Sequence, residues 1–209
     1  MKLRILFIFL FLSLFFLGCK KKIETKYILV PDDFKAWSVF QKDSYWIYLN
    51  ENTNQADSTF VTKCDRALYT DYDPYIHVYK ENYYVRLSSI FLNKFWIVAQ
   101  EGSSAQLYID SYHSDGFILS TDRIENPFVH EIPDYNSVKS KVIEVIPNLQ
   151  INNNTFTNVY HILVYFQKSN GDSVNDNFYL AKKIGLIKYK SRIGSVDTTW
   201  SLLRYHTIQ

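Results

Sequence analysis

Glycine, proline and cysteine are scarce in this chain, at 6, 5 and 2 of 209 residues. Six scattered glycines build no glycine-rich phosphate loop, and G-x-S-x-G and S-x-x-K are absent, so the familiar nucleotide and acyl-transfer signatures are missing. No Gly/Ser-rich linker and no internal repeat divides the chain, which predicts one domain. HExxH and C-x-x-C are lacking as well. The histidines, His77, His113, His130, His161 and His206, stand singly, so no metal and no other cofactor is expected. Nor is there an excess of one charge: 23 Lys+Arg face 21 Asp+Glu, which gives no footing for a nucleic-acid partner.

What the chain does have begins at its N-terminus. Lys2 and Arg4 precede an apolar run over residues 5–17, broken by Ser13, and Gly18-Cys19 closes it. The run is shorter than the ~20 residues a membrane-crossing helix needs. A cationic start, a short apolar stretch and a small residue before cysteine resemble the signal of bacterial lipoproteins. The resemblance implies that residues 1–18 are removed and that Cys19 carries diacylglyceryl and amide-linked acyl chains such as palmitate. Each buried methylene contributes ~0.8 kcal/mol, and stable anchoring takes more than one chain. All the acids lie beyond residue 18, so the loss of Lys2 and Arg4 leaves the mature chain neutral. Lys20, Lys21 and Lys22 open a tether over 19–30 that favours anionic head groups by roughly 1 kcal/mol per charge. With Cys19 acylated, Cys64 has no disulfide partner and is expected to be a buried, inert thiol.

Residues 31–209 read as one β domain. Pro31-Asp32-Asp33 has the chemistry of a helix start, and Phe34, Trp37 and Phe40 recur at a spacing of three, predicting a short helical plug at one end of a sheet. From Ser44 onward the period changes to that of strands. Residues 45–49 and 58–63 flank a polar turn; 76–79 and 83–87 flank Lys80-Glu81-Asn82; 105–109 alternate apolar with polar. Residues 149–151 and 159–166 form a hairpin across Asn152-Asn153-Asn154. The latter strand is apolar on both sides, which predicts a central position covered on both faces. The expected fold is all-β: a single antiparallel curved sheet, half-open barrel or sandwich, of about ten strands, with the one N-terminal helical plug.

Phe40-x4-Tyr45-Trp46-Ile47-Tyr48 with Asp57-Ser58, then Asn158-Val159-Tyr160-His161, then 178–188 and Trp200-Ser201-Leu202 resemble small uncharacterised lipoproteins of Bacteroidetes-type bacteria. The resemblance implies a curved antiparallel sheet in the cell envelope and supplies no catalytic residues. Lys20, in place of an Asp after the cysteine, implies the outer membrane, and the three lysines favour its periplasmic face over the cell surface.

Two groups of residues carry candidate chemistry. Tyr69, Asp71, Asp73 and Tyr75 lie together before and after Pro74, where acids beside flat aromatic faces suit a sugar ring, while Asp before Pro is also ordinary turn chemistry. Paired carboxylates are what a glycan hydrolase would need. Ser58, Ser173 and Thr198 each follow an aspartate in a short pattern that resembles the O-glycosylation acceptor of these bacteria. The expected function is a non-enzymatic binding or structural module, held to the membrane through Cys19 and meeting an envelope protein, glycan or lipid. The alternatives are a carrier of an apolar ligand, in a cavity lined by Tyr160, Ile162 and Val164, and a glycan-active hydrolase.

Overall fold

The computed structural model describes residues 24–71, 76–88, 95–101, 104–110, 116–120, 139–167, 171, 173–193 and 195–209. Among them are one helix, α1 (Asp32–Ser38), and twelve strands: β1 (Glu24–Ile28), β2 (Tyr45–Asn50), β3 (Ala56–Asp71), β4 (Ile76–Ser88), β5 (Phe95–Glu101), β6 (Ser104–Asp110), β7 (Gly116–Ser120), β8 (Lys139–Ile151), β9 (Asn154–Gln167), β10 (Ser173–Ala181), β11 (Gly185–Ile193) and β12 (Val196–His206). All twelve belong to one sheet in the order β7-β6-β5-β4-β3-β2-β12-β11-β10-β9-β8, with β1 added beside β4. Two meanders, β2 to β7 and β8 to β12, are joined where β12 pairs with β2. The sheet curls into a half-barrel, bringing Cα atoms of its outermost strands, β7 and β8, within 8 Å of each other.

The all-β, half-barrel expectation holds, with three changes. The strands number twelve rather than about ten. The sheet is mixed, because β1 runs parallel to β4 from Glu24↔Ile76 to Ile28↔Lys80. This strand comes from the segment that reads as tether. Finally, Lys80-Glu81-Asn82 is no turn: β4 passes straight through it, paired along its length with β3. The polar triplet hid a continuing alternation in which Glu81, Tyr83, Val85 and Leu87 share one face.

Residue 159–166 chemistry is likewise only half as expected. Strand β9 lies one place in from β8, not at the centre of the sheet. Val159, Ile162 and Val164 are buried, but Leu163 is half-buried and Tyr165 is exposed. The outer face is covered only locally, as where the His161 and Tyr179 rings stack 4.4 Å apart. The hairpin turn at Asn152 is as read, with Asn152 at φ 52, a left-handed conformation that asparagine tolerates better than most. Pro147 sits within β8, where the register against β9 passes from Ile146↔Val159 to Asn148↔Thr157 without pairing it.

The plug forms as the spacing predicts. Pro31 precedes α1, whose Phe34 and Trp37 are buried, and Phe40 follows into the same core. The Trp37 ring meets Tyr160 edge-on at 4.8 Å, and Phe40 meets Trp46 at 5.0 Å. Two sheet side chains hold the neighbouring β10–β11 turn: Trp46 Nε1–H donates to the Ile184 carbonyl at 2.6 Å and the Tyr48 hydroxyl donates to that of Leu186 at 2.7 Å. The Lys183 amide donates to the Ala36 carbonyl, tying this turn to the helix. Gly185, at φ +85, allows Phe40 to approach so closely that a Cβ there would lie 2.9 Å from the ring.

Candidate functional site

The most developed polar constellation among the described residues lies where the chain leaving the N-terminal segment enters the sheet. Register does the placing. Since β1 ends opposite Lys80, the Val30 amide arrives beside Glu81, whose cross-strand partner is Leu68. Glu81 is buried, and both its oxygens are occupied. Oε1 accepts from Arg66 Nε at 2.6 Å and from the Tyr83 hydroxyl at 2.9 Å. Oε2 accepts from the Val30 amide at 2.9 Å and lies 3.4 Å from Lys35 Nζ on α1. Lys35 also pairs with Asp32 at 3.1 Å and sits 5.5 Å from the centre of the Tyr83 ring.

Burial pushes the Glu81 carboxyl upward, but the hydrogen bonds from Tyr83, Arg66 and Val30 together with the Lys35 charge outweigh it, leaving the group below its ordinary value. For Lys35, burial alone would lower the ammonium, and the Asp32 and Glu81 carboxylates more than reverse that. The Tyr83 phenol is raised by burial and by donating to Glu81. A carboxylate bonded on both oxygens and kept ionised is neither a proton donor nor a free nucleophile. Its chemistry is that of a clamp: it fastens the entry segment, the plug helix and two strands at one point. The sequence signal for it is the Glu81-Tyr83-Val85-Leu87 alternation, in which a lone acid stands on an otherwise apolar strand face.

Of the four residues in the candidate tyrosine–aspartate group, Tyr69 is exposed, and its hydroxyl is hydrogen-bonded to that of Tyr84. That bond raises the Tyr69 phenol. Asp71 is the last residue of β3, and Asp73 and Tyr75 lie outside the described residues. What the register adds is a neighbour. Glu24 pairs with Ile76 at the start of β4, so the chain from Cys19 enters at the same end of the β3–β4 hairpin. Tyr27 stacks on Tyr79 there, with ring centres 5.2 Å apart.

The remaining candidates are dispersed. Ser58 is exposed in β3, Ser173 is exposed as the first residue of β10, and Thr198 is half-buried in β12. Cys64 is half-buried on β3 opposite Val85, and burial, with the Asp65 charge, raises its thiol. His161 is bracketed by Glu144 Oε1 at 3.3 Å and Asn177 Oδ1 at 2.9 Å. His77 and His206 are exposed, and His113 and His130 lie outside the described residues. Among the described residues no group of three His, Cys, Asp or Glu side chains could hold a metal ion. Ile162 and Val164 belong to the packed core. Under α1 a cavity of about 10 Å³ is lined by Ser38, Phe40, Trp46, Tyr48, Thr59 and Leu186, among others. The Ser38 and Thr59 hydroxyls, both on this cavity, have no hydrogen-bond partner among the described residues.

No family model matches the chain, and no curated protein does. Among solved structures the chain is similar to a crystal structure described as a "putative lipoprotein" from Parabacteroides distasonis ATCC 8503, with 9% identity and a TM-score of 0.41 over 81% of this chain and 97% of that one.

Proposed function

We propose that this chain is a lipid-anchored cell-envelope lipoprotein whose β domain is a non-enzymatic binding or structural module, attached through acyl chains on Cys19 to the periplasmic face of the outer membrane. The signal over residues 1–19 supports the anchor. The observation that carries the module reading is the use made of Glu81. This buried, hydrogen-bonded acid fixes the segment that follows the anchor to the sheet. A domain whose first strand begins five residues past Cys19, and which is clamped at Val30, transmits position and load, whereas one on a long free linker would wander. A carrier for an apolar ligand would need open space inside the half-barrel. There Phe40, Tyr48, Ile162, Leu180 and Ile187 are buried in one packed cluster, and the cavity under α1 holds about the volume of one water molecule.

Intact-mass and detergent-partition measurements on protein from its native membrane, wild type against Cys19→Ala, test the reading. The expected result is acyl mass on a chain that begins at Cys19, with both mass and detergent partition lost in the variant. A wild-type chain without acyl mass would overturn the anchor and reopen Cys19 and Cys64 as a thiol pair.

A further inference from the structure

We propose that the cavity under α1 is a binding site for one internal water molecule, which bridges the Ser38 hydroxyl of the plug helix to the Thr59 hydroxyl of β3. Both residues are wholly enclosed, Ser38 at 0% exposure and Thr59 at 1%. Among the described residues, their hydroxyls are the buried side-chain polar groups left without a hydrogen-bond partner. Both residues line this one cavity. Buried hydroxyls are nearly always paired, so two orphans meeting at one space call for a common partner.

The surroundings show why the chain itself does not supply that partner. Thr59 stands opposite Trp46 of β2, whose indole N–H is given to the Ile184 carbonyl, and the Tyr48 hydroxyl proton is given to the Leu186 carbonyl. The side-chain donors on this wall are thus committed to the β10–β11 turn. Phe40, Val85, Leu87 and Leu186 complete the lining with apolar side chains. On the helix side, serine often bonds back to a preceding carbonyl of its own helix, and Ser38, the last residue of α1, does not.

Volume and energy name the occupant. The cavity, about 10 Å³, stands at the lower end of the ~10–15 Å³ that one water requires, and a second water or a larger ligand would not fit. A dry cavity is the competing state, since most of the lining is apolar. The hydroxyls decide between them. Leaving a buried hydroxyl unsatisfied costs more than immobilising one water, and the dry state would leave two. Each hydroxyl can donate as well as accept, so one water is held from both sides. The consequence is that the end of α1 is fastened to β3 by hydrogen bonds as well as by the packing of Phe34, Trp37 and Phe40. This site stands whether or not Cys19 carries lipid.

The test is a thermodynamic cycle on the full-length protein in detergent solution, with Ser38→Ala, Thr59→Val and the double variant, each close in shape to the residue it replaces. With a bridging water, each single substitution is expected to lower the folding equilibrium constant roughly fivefold. The double variant is expected to lose about as much as one single variant, because the first substitution already releases the water. Dry hydroxyls predict the opposite sign: each substitution would remove an unsatisfied polar group, so both would raise the constant and their effects would add. That outcome overturns the site. A high-resolution crystal structure of the wild-type chain decides independently, should a variant fail to fold. It is expected to show one water oxygen within hydrogen-bond distance of both Ser38 Oγ and Thr59 Oγ1. An empty cavity, or an oxygen that reaches only one of the two hydroxyls, overturns the bridge.

Discussion

The two ends of the β3–β4 pair show how one stretch of ladder serves two environments. At one end Val61 and Val85 are buried to 1% under α1, Phe40 and Trp46. At the other, Leu68 and Tyr69 on the same strand as Val61 are nearly half exposed, with a second strand, β1, along the edge of β4. Past a bulge between Val61 and Lys63, Cys64 still packs against the core that buries Val61. What changes is the cover, and Glu81 marks the border, reaching from the strand face to α1 and to the incoming segment. Leu68 lies directly opposite Glu81, and Tyr69 one place beyond it.

The comparison breaks most sharply if the plug is emptied. Phe40→Ala removes a ring that packs edge-on against Trp46 and closes over Gly185. A cost of about 3–5 kcal/mol is expected, read as a lowered denaturation midpoint in detergent solution. Gly185→Ala attacks the same contact from the sheet side. Its Cβ would meet the Phe40 ring at 2.9 Å from a backbone at φ +85, and both effects act in one direction. About 1–3 kcal/mol is expected, and pairing Gly185→Ala with Phe40→Ala should cost less than the sum of the two, since the clash is then gone.

Much of the plugged end was legible in the sequence. Phe34, Trp37 and Phe40 at helical spacing after Pro31-Asp32-Asp33 announce a plug, and the strands on either side of Asn152 follow from their apolar runs and the polar turn between them. The clamp was not legible, for two reasons. Val30 acts through its backbone amide, which carries no sequence signal, and Glu81 stands in a polar triplet that mimics a turn until the partner strand is known. Strand β1 was hidden by its composition, Glu24-Thr25-Lys26-Tyr27-Ile28, which reads as a solvated tether. Only its parallel register against β4, a contact between residues some fifty positions apart, turns it into sheet.

The border itself is tested by pH. Glu81 has a folded-state value below the ordinary one, so its stabilising contribution is complete above the unfolded glutamate value of ~4.3 and is lost as pH falls through the lower folded value. Glu81→Gln keeps an acceptor for the Val30 amide but gives up the charge that Arg66 and Lys35 face. A loss of about 2 kcal/mol is expected at pH 7, discounted because the Arg66 side chain is more than half exposed. The difference between wild type and variant should shrink below pH 4.3 and not above it. Glu51, lowered by its bond from Ser201 and by Lys188, keeps part of the acid-sensitive loss in both proteins. Denaturant midpoints measured from pH 7 to pH 3 check the sign, and a difference that grew on acidification would contradict the clamp.

The smallest expected effect is the most telling about the other end. Leu68→Ser and Tyr27→Ser remove exposed apolar surface, so each should change stability in detergent by no more than ~0.5 kcal/mol. Val85→Ala, on the strand that pairs with β3, should cost about 2 kcal/mol, because its side chain is buried. If instead Leu68→Ser proves as costly as Val85→Ala, the ladder beside Glu81 is part of the core. Near-neutral stability at Leu68 and Tyr27 beside a clear loss at Val85 would show that the covered end of the ladder alone carries the fold.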